Sequence, residues 1–228
     1  MTKNPPIIKA IIFDMDGLMI DTERLAQRAW RKASAEWNYM LSDETYLSVV
    51  GRNVKDTEAM FLESFGPDFP FREMYDKKQT YMYEDMEQNG IPIKPGLPAL
   101  LDFIGNQNLA KAIATSTARP TAIKKLTITG LINSFSTIVC GDEVAHGKPA
   151  PDIFLKAASA LGMPPENCLV LEDSEAGVKG AHTAGMTPIM VPDMKYPSDE
   201  IRQLVYRVLD SLVELPALLV PLISVDRK

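Results

Sequence analysis

The sequence predicts an α/β protein: a doubly wound, Rossmann-like parallel sheet carrying an inserted all-helical domain. Three observations predict it. Short apolar runs bounded by Asp, Gly, Ser or Pro recur at Ile7–Phe13, Ala110–Ala114, Ser136–Cys140, Cys168–Leu171 and Thr187–Val191, the pattern of strands buried on both faces of a parallel sheet. Stretches of helical periodicity lie between the later runs, and alternation of this kind builds doubly wound folds. The roughly 70 residues between the first two runs hold no convincing strand, too many for a crossover connection.

The elements follow in order. The first strand, Ile7–Phe13, opens the core. Over Asp21–Asn89 the pattern changes to helices. Leu25, Ala29, Ala33 and Trp37 recur every four residues, the stripe of an amphipathic helix. Met60/Ser64 with Phe61/Phe65 suggest a second helix, and Tyr81, Met82 and Met86 a third. The Pro-rich stretch Ile91–Pro98 marks the return to the sheet. The domains expected are therefore a core of residues 1–20 and 90–228 and a helical insert of residues 21–89. Within the core, Leu97, Leu100, Leu101 and Ile104 line a helix over Gly96–Asn106. Pro120–Leu126 and Pro151–Leu161 each begin with Pro at a first-turn position. Ser174–Ala184 is a helix with Ser174 as its N-cap. The tail Leu215–Lys228 turns from apolar to charged and suggests no role.

Composition narrows the function. A chain of 228 residues, 46% hydrophobic, can bury one sizeable core and a smaller accessory one. With 24 Lys+Arg against 30 Asp+Glu the net charge is −6. There is no basic run, so no nucleic acid is expected as a partner. No apolar stretch approaches the roughly 20 residues that span a bilayer, and Met1–Pro6 does not resemble a secretory signal, so no membrane is expected either. Cys140 and Cys168 both lie in apolar runs and read as buried free thiols, which suits a reducing cytoplasm.

In open α/β sheets ligands bind beyond the carboxyl ends of the strands. Asp14-Met15-Asp16-Gly17 follows the first run and Thr115-Ser116-Thr117 the second. Gly141-Asp142-Glu143 and then Gly147-Lys148-Pro149 follow the third, and Glu172-Asp173-Ser174 the fourth. Asp14 and Asp16 can reach one small volume if the loop bends, and Gly17 permits the bend. A carboxylate with an ordinary pKa of about 4 is ionised at neutral pH, so Asp14 could attack phosphorus unaided. Asp16 could protonate the leaving oxygen and later take a proton from water. Glu172 and Asp173 offer hard oxygen ligands of the kind Mg²⁺ takes. Ser116, before a helix, could bind phosphate oxygens, and Lys148 could neutralise a phosphate. Each also has a plain structural reading: a solvated acidic turn, helix-start acids, a helix cap, a surface lysine. Their order, each at a strand end, favours the joint chemical reading.

These residues resemble the haloacid dehalogenase superfamily of phosphatases over essentially the whole chain. The first motif is matched by Asp14-Met15-Asp16-Gly17 and the second by Thr115-Ser116. Gly147-Lys148-Pro149 with Asp152 matches the third, and Glu172-Asp173-Ser174 with Gly177 the fourth. The resemblance implies that Asp14 forms an aspartyl-phosphate, that Asp16 is the general acid/base, and that Ser116, Lys148 and Gly17 surround the phosphoryl group. It implies Mg²⁺ held by Asp14, the Asp16 carbonyl and Asp173, with Glu172 in support. It makes the insert a cap of the C1 type, whose loop Gly51–Asp56 offers Arg52 and Lys55 to the substrate. The subgroup resembled includes β-phosphoglucomutases and phosphatases of small sugar and pseudouridine phosphates, working as monomers on small phosphorylated metabolites. In the mutases the cap helix carries a His five residues after the acid that is Asp21 here. This chain has Ala26 there, which favours a phosphatase over a phosphohexomutase. Asp16 is absent from the dehalogenases that name the superfamily, and its presence favours phosphoryl transfer. A catalytically idle ligand sensor is the third alternative.

Overall fold

The computed structural model describes residues 6–51 and 54–223. Its elements run β1 (Ala10–Phe13), α1 (Thr22–Glu36), α2 (Asp43–Val49), α3 (Val54–Phe65), α4 (Phe71–Asn89), α5 (Leu97–Asn106), β2 (Ala110–Thr115), α6 (Arg119–Ile128), β3 (Thr137–Cys140), α7 (Asp152–Ala160), β4 (Cys168–Glu172), α8 (Glu175–Thr183), β5 (Thr187–Met190), α9 (Asp199–Leu204), β6 (Arg207–Val208) and α10 (Leu215–Leu219). The chain divides into two compact units, one within Met1–Ile20 and Ile93–Lys228, the other Asp21–Pro92.

In the first unit the strands form one parallel sheet in the order β3-β2-β1-β4-β5-β6. This is the doubly wound α/β arrangement, and the order reverses at β1. Phe13 is level with Ile113 on one side and Leu171 on the other, so β1, β2 and β4 end at nearly one height. Every residue of β1 and β4 is buried. That is why these strands read as unbroken apolar runs rather than alternating ones. On one face Ala10, Ile12, Ala112, Ala114 and Val170 pack with Ile153, Phe154 and Ala157 of α7 and Ala181 of α8. The small strand side chains leave room for Phe154 at close-packed density. Helix α8 starts as its sequence dictates: the Ser174 hydroxyl accepts from the Gly177 N–H at 3.1 Å.

Two elements go beyond the sequence expectation. Strand β6 extends the sheet by two residues beside β5. The apolar part of the tail covers the core: Leu215, Leu219 and Leu222 are buried, and the Ile8 N–H donates to the Leu222 carbonyl at 2.7 Å. The first strand is shorter than its apolar run, since Ile8 makes only an isolated bridge to Ile223.

The second unit is helical. Its core is aromatic, with Trp30 edge-on to Phe61 at 5.0 Å between ring centroids and Phe65 stacked on Phe69 at 4.9 Å. The buried stripe of α1 is Leu25, Ala26, Ala29, Trp30 and Ala33. Trp37 lies just past the helix as its C-cap and is only half-buried. Four helices fill this unit among the described residues, one more than the periodicity suggested; the addition is α2, capped by the Ser42 hydroxyl accepting from the Thr45 N–H at 3.1 Å. Among the described residues no helix is long and apolar enough to cross a membrane.

Candidate active site

The site is assembled where the sheet order reverses. Asp14 leaves β1 still tied to β4, its N–H donating to the Leu171 carbonyl at 2.9 Å. The following loop turns back through Gly17, whose φ of 84° a side chain would resist and whose N–H donates to the Ile20 carbonyl at 2.9 Å. A Cβ on Gly17 would stand 2.1 Å from Asp173 Oδ2. Glycine is therefore what lets the loop after β1 meet the loop after β4.

Lys148 joins the parts. Its ammonium donates to Asp14 Oδ1 at 2.5 Å, to Glu172 Oε1 at 2.6 Å and to the Ala114 carbonyl at 3.0 Å. These three acceptors match the three N–H donors of a lysine. Glu172 is wholly buried. Its second oxygen accepts from the Ser174 hydroxyl at 2.9 Å and the Ser174 N–H at 3.2 Å, so a carboxylate at the end of β4 also starts α8. Burial alone would push Lys148 down; Asp14 and Glu172 outweigh it and hold the ammonium above its ordinary value. Burial drives Asp14 the other way, up to about 8, with Lys148 opposing and Glu172 and Asp16 adding to the rise. Lys148 donates to both carboxylates and stays charged, and the upward pressure on Asp14 is what one ammonium between two buried carboxylates leaves uncompensated.

Oxygens of Asp14, Glu172 and Asp173 lie within 4.8 Å of one another. Lys148 bridges two of these three carboxylates. An all-oxygen donor set of this kind fits a hard divalent cation such as Mg²⁺. Asp16 is held apart from this group by other partners: its Oδ1 accepts from Lys125 at 2.5 Å and its Oδ2 from the Thr117 hydroxyl at 2.6 Å.

The structure thus brings Asp14, Gly17, Lys148, Glu172 and Asp173 together. Ser116 sits at the end of β2 and is exposed. Lys55 is an exposed residue in the first turn of α3, within the helical unit and not in a loop; Arg52 lies outside the described residues. His146 is exposed and contacts Asp152, Nδ1 to Oδ2 at 3.1 Å. Sequence reasoning missed Thr117 and Lys125. A signal existed for the second: Ala122, Lys125 and Leu126 share one face of α6, and a lysine on an otherwise apolar stripe needs a buried partner.

Residues 11–191 match the family described as haloacid dehalogenase-like hydrolase. The chain belongs to that family. Among curated relatives of this hydrolase, a phosphorylated carbohydrates phosphatase of Thermotoga maritima is 31% identical over 80% of this chain and 84% of its own length. A probable pseudouridine-5'-phosphatase of Drosophila melanogaster is 35% identical, covering 83% and 84% respectively. Among solved structures, CbbY from Rhodobacter sphaeroides in complex with phosphate superposes with a TM-score of 0.76 at 30% identity, over 92% of this chain and 96% of that one.

Proposed function

We propose that this haloacid dehalogenase-like hydrolase is a Mg²⁺-dependent phosphatase that removes phosphate from a small sugar, polyol or nucleoside phosphomonoester, with Asp14 as nucleophile. The observation that carries the proposal is the buried bridge Asp14–Lys148–Glu172 at the ends of β1 and β4, beside the half-buried Asp173. Such a bridge fixes one carboxylate for attack and places a permanent cation next to it. The named phosphatase relatives supply the substrate class.

In the first half-reaction a carboxylate oxygen of Asp14 bonds to phosphorus as the bond to the leaving oxygen breaks. The leaving oxygen keeps that electron pair and takes a proton from Asp16. In the second, Asp16 accepts a proton from water as the water oxygen bonds to phosphorus and the aspartyl-phosphate breaks, restoring Asp14. Lys148 stays protonated throughout and balances charge on the phosphoryl oxygens, with Ser116 donating to them. Asp14, the Asp16 carbonyl and Asp173 would hold Mg²⁺, with Glu172 in support, and the ion when bound supplies positive charge that keeps Asp14 ionised and offsets charge on the phosphate. The helical unit Asp21–Pro92 would act as the cap that selects the substrate.

The test is phosphate release from a panel of sugar, polyol and nucleoside monophosphates, with Mg²⁺, with EDTA, and with Asp14→Asn. Release that requires Mg²⁺ and disappears in Asp14→Asn is the expected result. Isomer formation without phosphate release would replace the proposal with a phosphohexomutase.

A further inference from the structure

Lys125 has no part in the chemistry written above, yet it is 94% buried, with 6% of its surface exposed. Burying an ammonium is costly unless it is paired, and its neighbour Lys124 is exposed in the ordinary way. The side chain reaches from the middle of α6 to Asp16 Oδ1 at 2.5 Å. The other oxygen of that carboxylate faces hydroxyls, Thr117 Oγ1 at 2.6 Å and Thr115 Oγ1 at 3.5 Å. The ammonium and the hydroxyls are chemically unequal. An ammonium can only donate, so the oxygen it holds has no room for a proton of its own. A threonine hydroxyl both donates and accepts, so it can face Oδ2 whether that oxygen is bare or protonated.

We infer that Lys125 is a positioning residue that pins Asp16 by Oδ1 and so makes Oδ2 the oxygen through which the proton passes. This inference rests on the phosphatase reading, in which Asp16 gives a proton to the leaving oxygen and takes one from water. Oδ2–H breaks as the leaving oxygen departs with the electron pair of the P–O bond, and Oδ2–H re-forms when water attacks the aspartyl-phosphate. Thr117 turns its hydroxyl from acceptor to donor as Oδ2 loses the proton, and back to acceptor as Oδ2 regains it. Without Lys125 the carboxyl can turn about its bond, and either oxygen, in a spread of orientations, faces the substrate.

The experiment compares kcat/KM for two substrates in the full-length protein with Lys125→Met. One is the best alkyl phosphate of the panel, whose alkoxide leaves poorly without a proton. The other is p-nitrophenyl phosphate, whose leaving group needs none. General acid catalysis contributes about 10²–10⁴-fold, so mispositioning the acid should shift the alkyl-to-nitrophenyl ratio of kcat/KM by about tenfold or more against the alkyl substrate. Lys125→Arg, which also only donates, should hold the ratio within about threefold of wild type. In an Asp16→Asn background, Lys125→Met should change the ratio by less than about twofold, because the two residues act as one unit. An unchanged ratio in Lys125→Met, or an equal loss on both substrates, would overturn the inference and leave Lys125 a packing residue. If Lys125→Met does not fold, Thr117→Val decides by the same ratio, with a shift expected and no shift contradicting. Wild-type protein inert on both substrates would instead strike the phosphatase reading itself.

Discussion

Glu172 is wholly buried, and Gly177 is the reason its carboxylate fits where it does. A Cβ built on Gly177 would lie 1.9 Å from Glu172 Cδ and Oε1 and 2.3 Å from Oε2. Gly177→Ala must therefore expel the carboxylate from its place against α8. The carboxylate is fully buried and holds Lys148 at 2.6 Å and the Ser174 hydroxyl at 2.9 Å. A lost charge-assisted hydrogen bond costs about 1.5–3 kcal/mol and overpacking a further ~1–3 kcal/mol, so about 2.5–6 kcal/mol together is expected. For a chain of this size that lowers the melting temperature by roughly 10 °C. The assay is thermal unfolding followed by circular dichroism, run alongside phosphate release, which should also fall because Lys148 loses one of its anchors. Glu172→Ala provides the control: once the carboxylate is gone, adding Gly177→Ala should cost less than ~1 kcal/mol, so the double-mutant cycle shows strong coupling. A Gly177→Ala protein that melts within ~2 °C of wild type and keeps full activity would refute the packing of Glu172 against α8.

Two further outcomes follow from buried titrating groups. The Asp14 carboxyl is pushed up to about 8 by burial from an ordinary value of 3.8. A raised acid gives stability that is complete below its unfolded pKa and is lost as pH rises through its folded one. In EDTA the melting temperature of wild type should thus fall relative to Asp14→Asn between about pH 4 and pH 8, and a constant difference across that window would contradict the burial. Cys140 and Cys168 are both free and buried, and burial pushes the Cys168 thiol up to about 11 and raises Cys140 as well. Neither should react with an aromatic disulfide reagent at neutral pH until the protein unfolds; stoichiometric labelling of native protein would contradict this.

The sheet was legible because its central strands β1 and β4 are wholly buried and read as nearly unbroken apolar runs. β6 was not: two residues, Arg207 exposed and Val208 half-buried, are too few to define a strand pattern, and they join the sheet through the backbone of β5. Helix α2 escaped because its seven residues bury two side chains, Tyr46 and Val49, too few to define a period. The acidic loops were legible as strand-end chemistry, since Asp14, Lys148, Glu172 and Asp173 have no packing reason to gather there. What was not legible was partnership across long sequence separations. Lys125 contacts Asp16 from 109 residues away, and only the register of β1 beside β2 brings α6 to that loop. Gly177 escaped for a different reason: its neighbour Glu172 is only five residues earlier, but nothing in the sequence shows that this side chain folds back over the helix start.

If Asp14 carries the phosphoryl group during turnover, that intermediate can be trapped. Enzyme mixed with its best substrate and Mg²⁺ is quenched in acid within milliseconds, digested, and the peptides weighed. One added phosphoryl group on Asp14, labile to hydroxylamine and absent from Asp14→Asn, is expected. Rapid turnover with no modified peptide, or with the phosphoryl group on another residue, would contradict it.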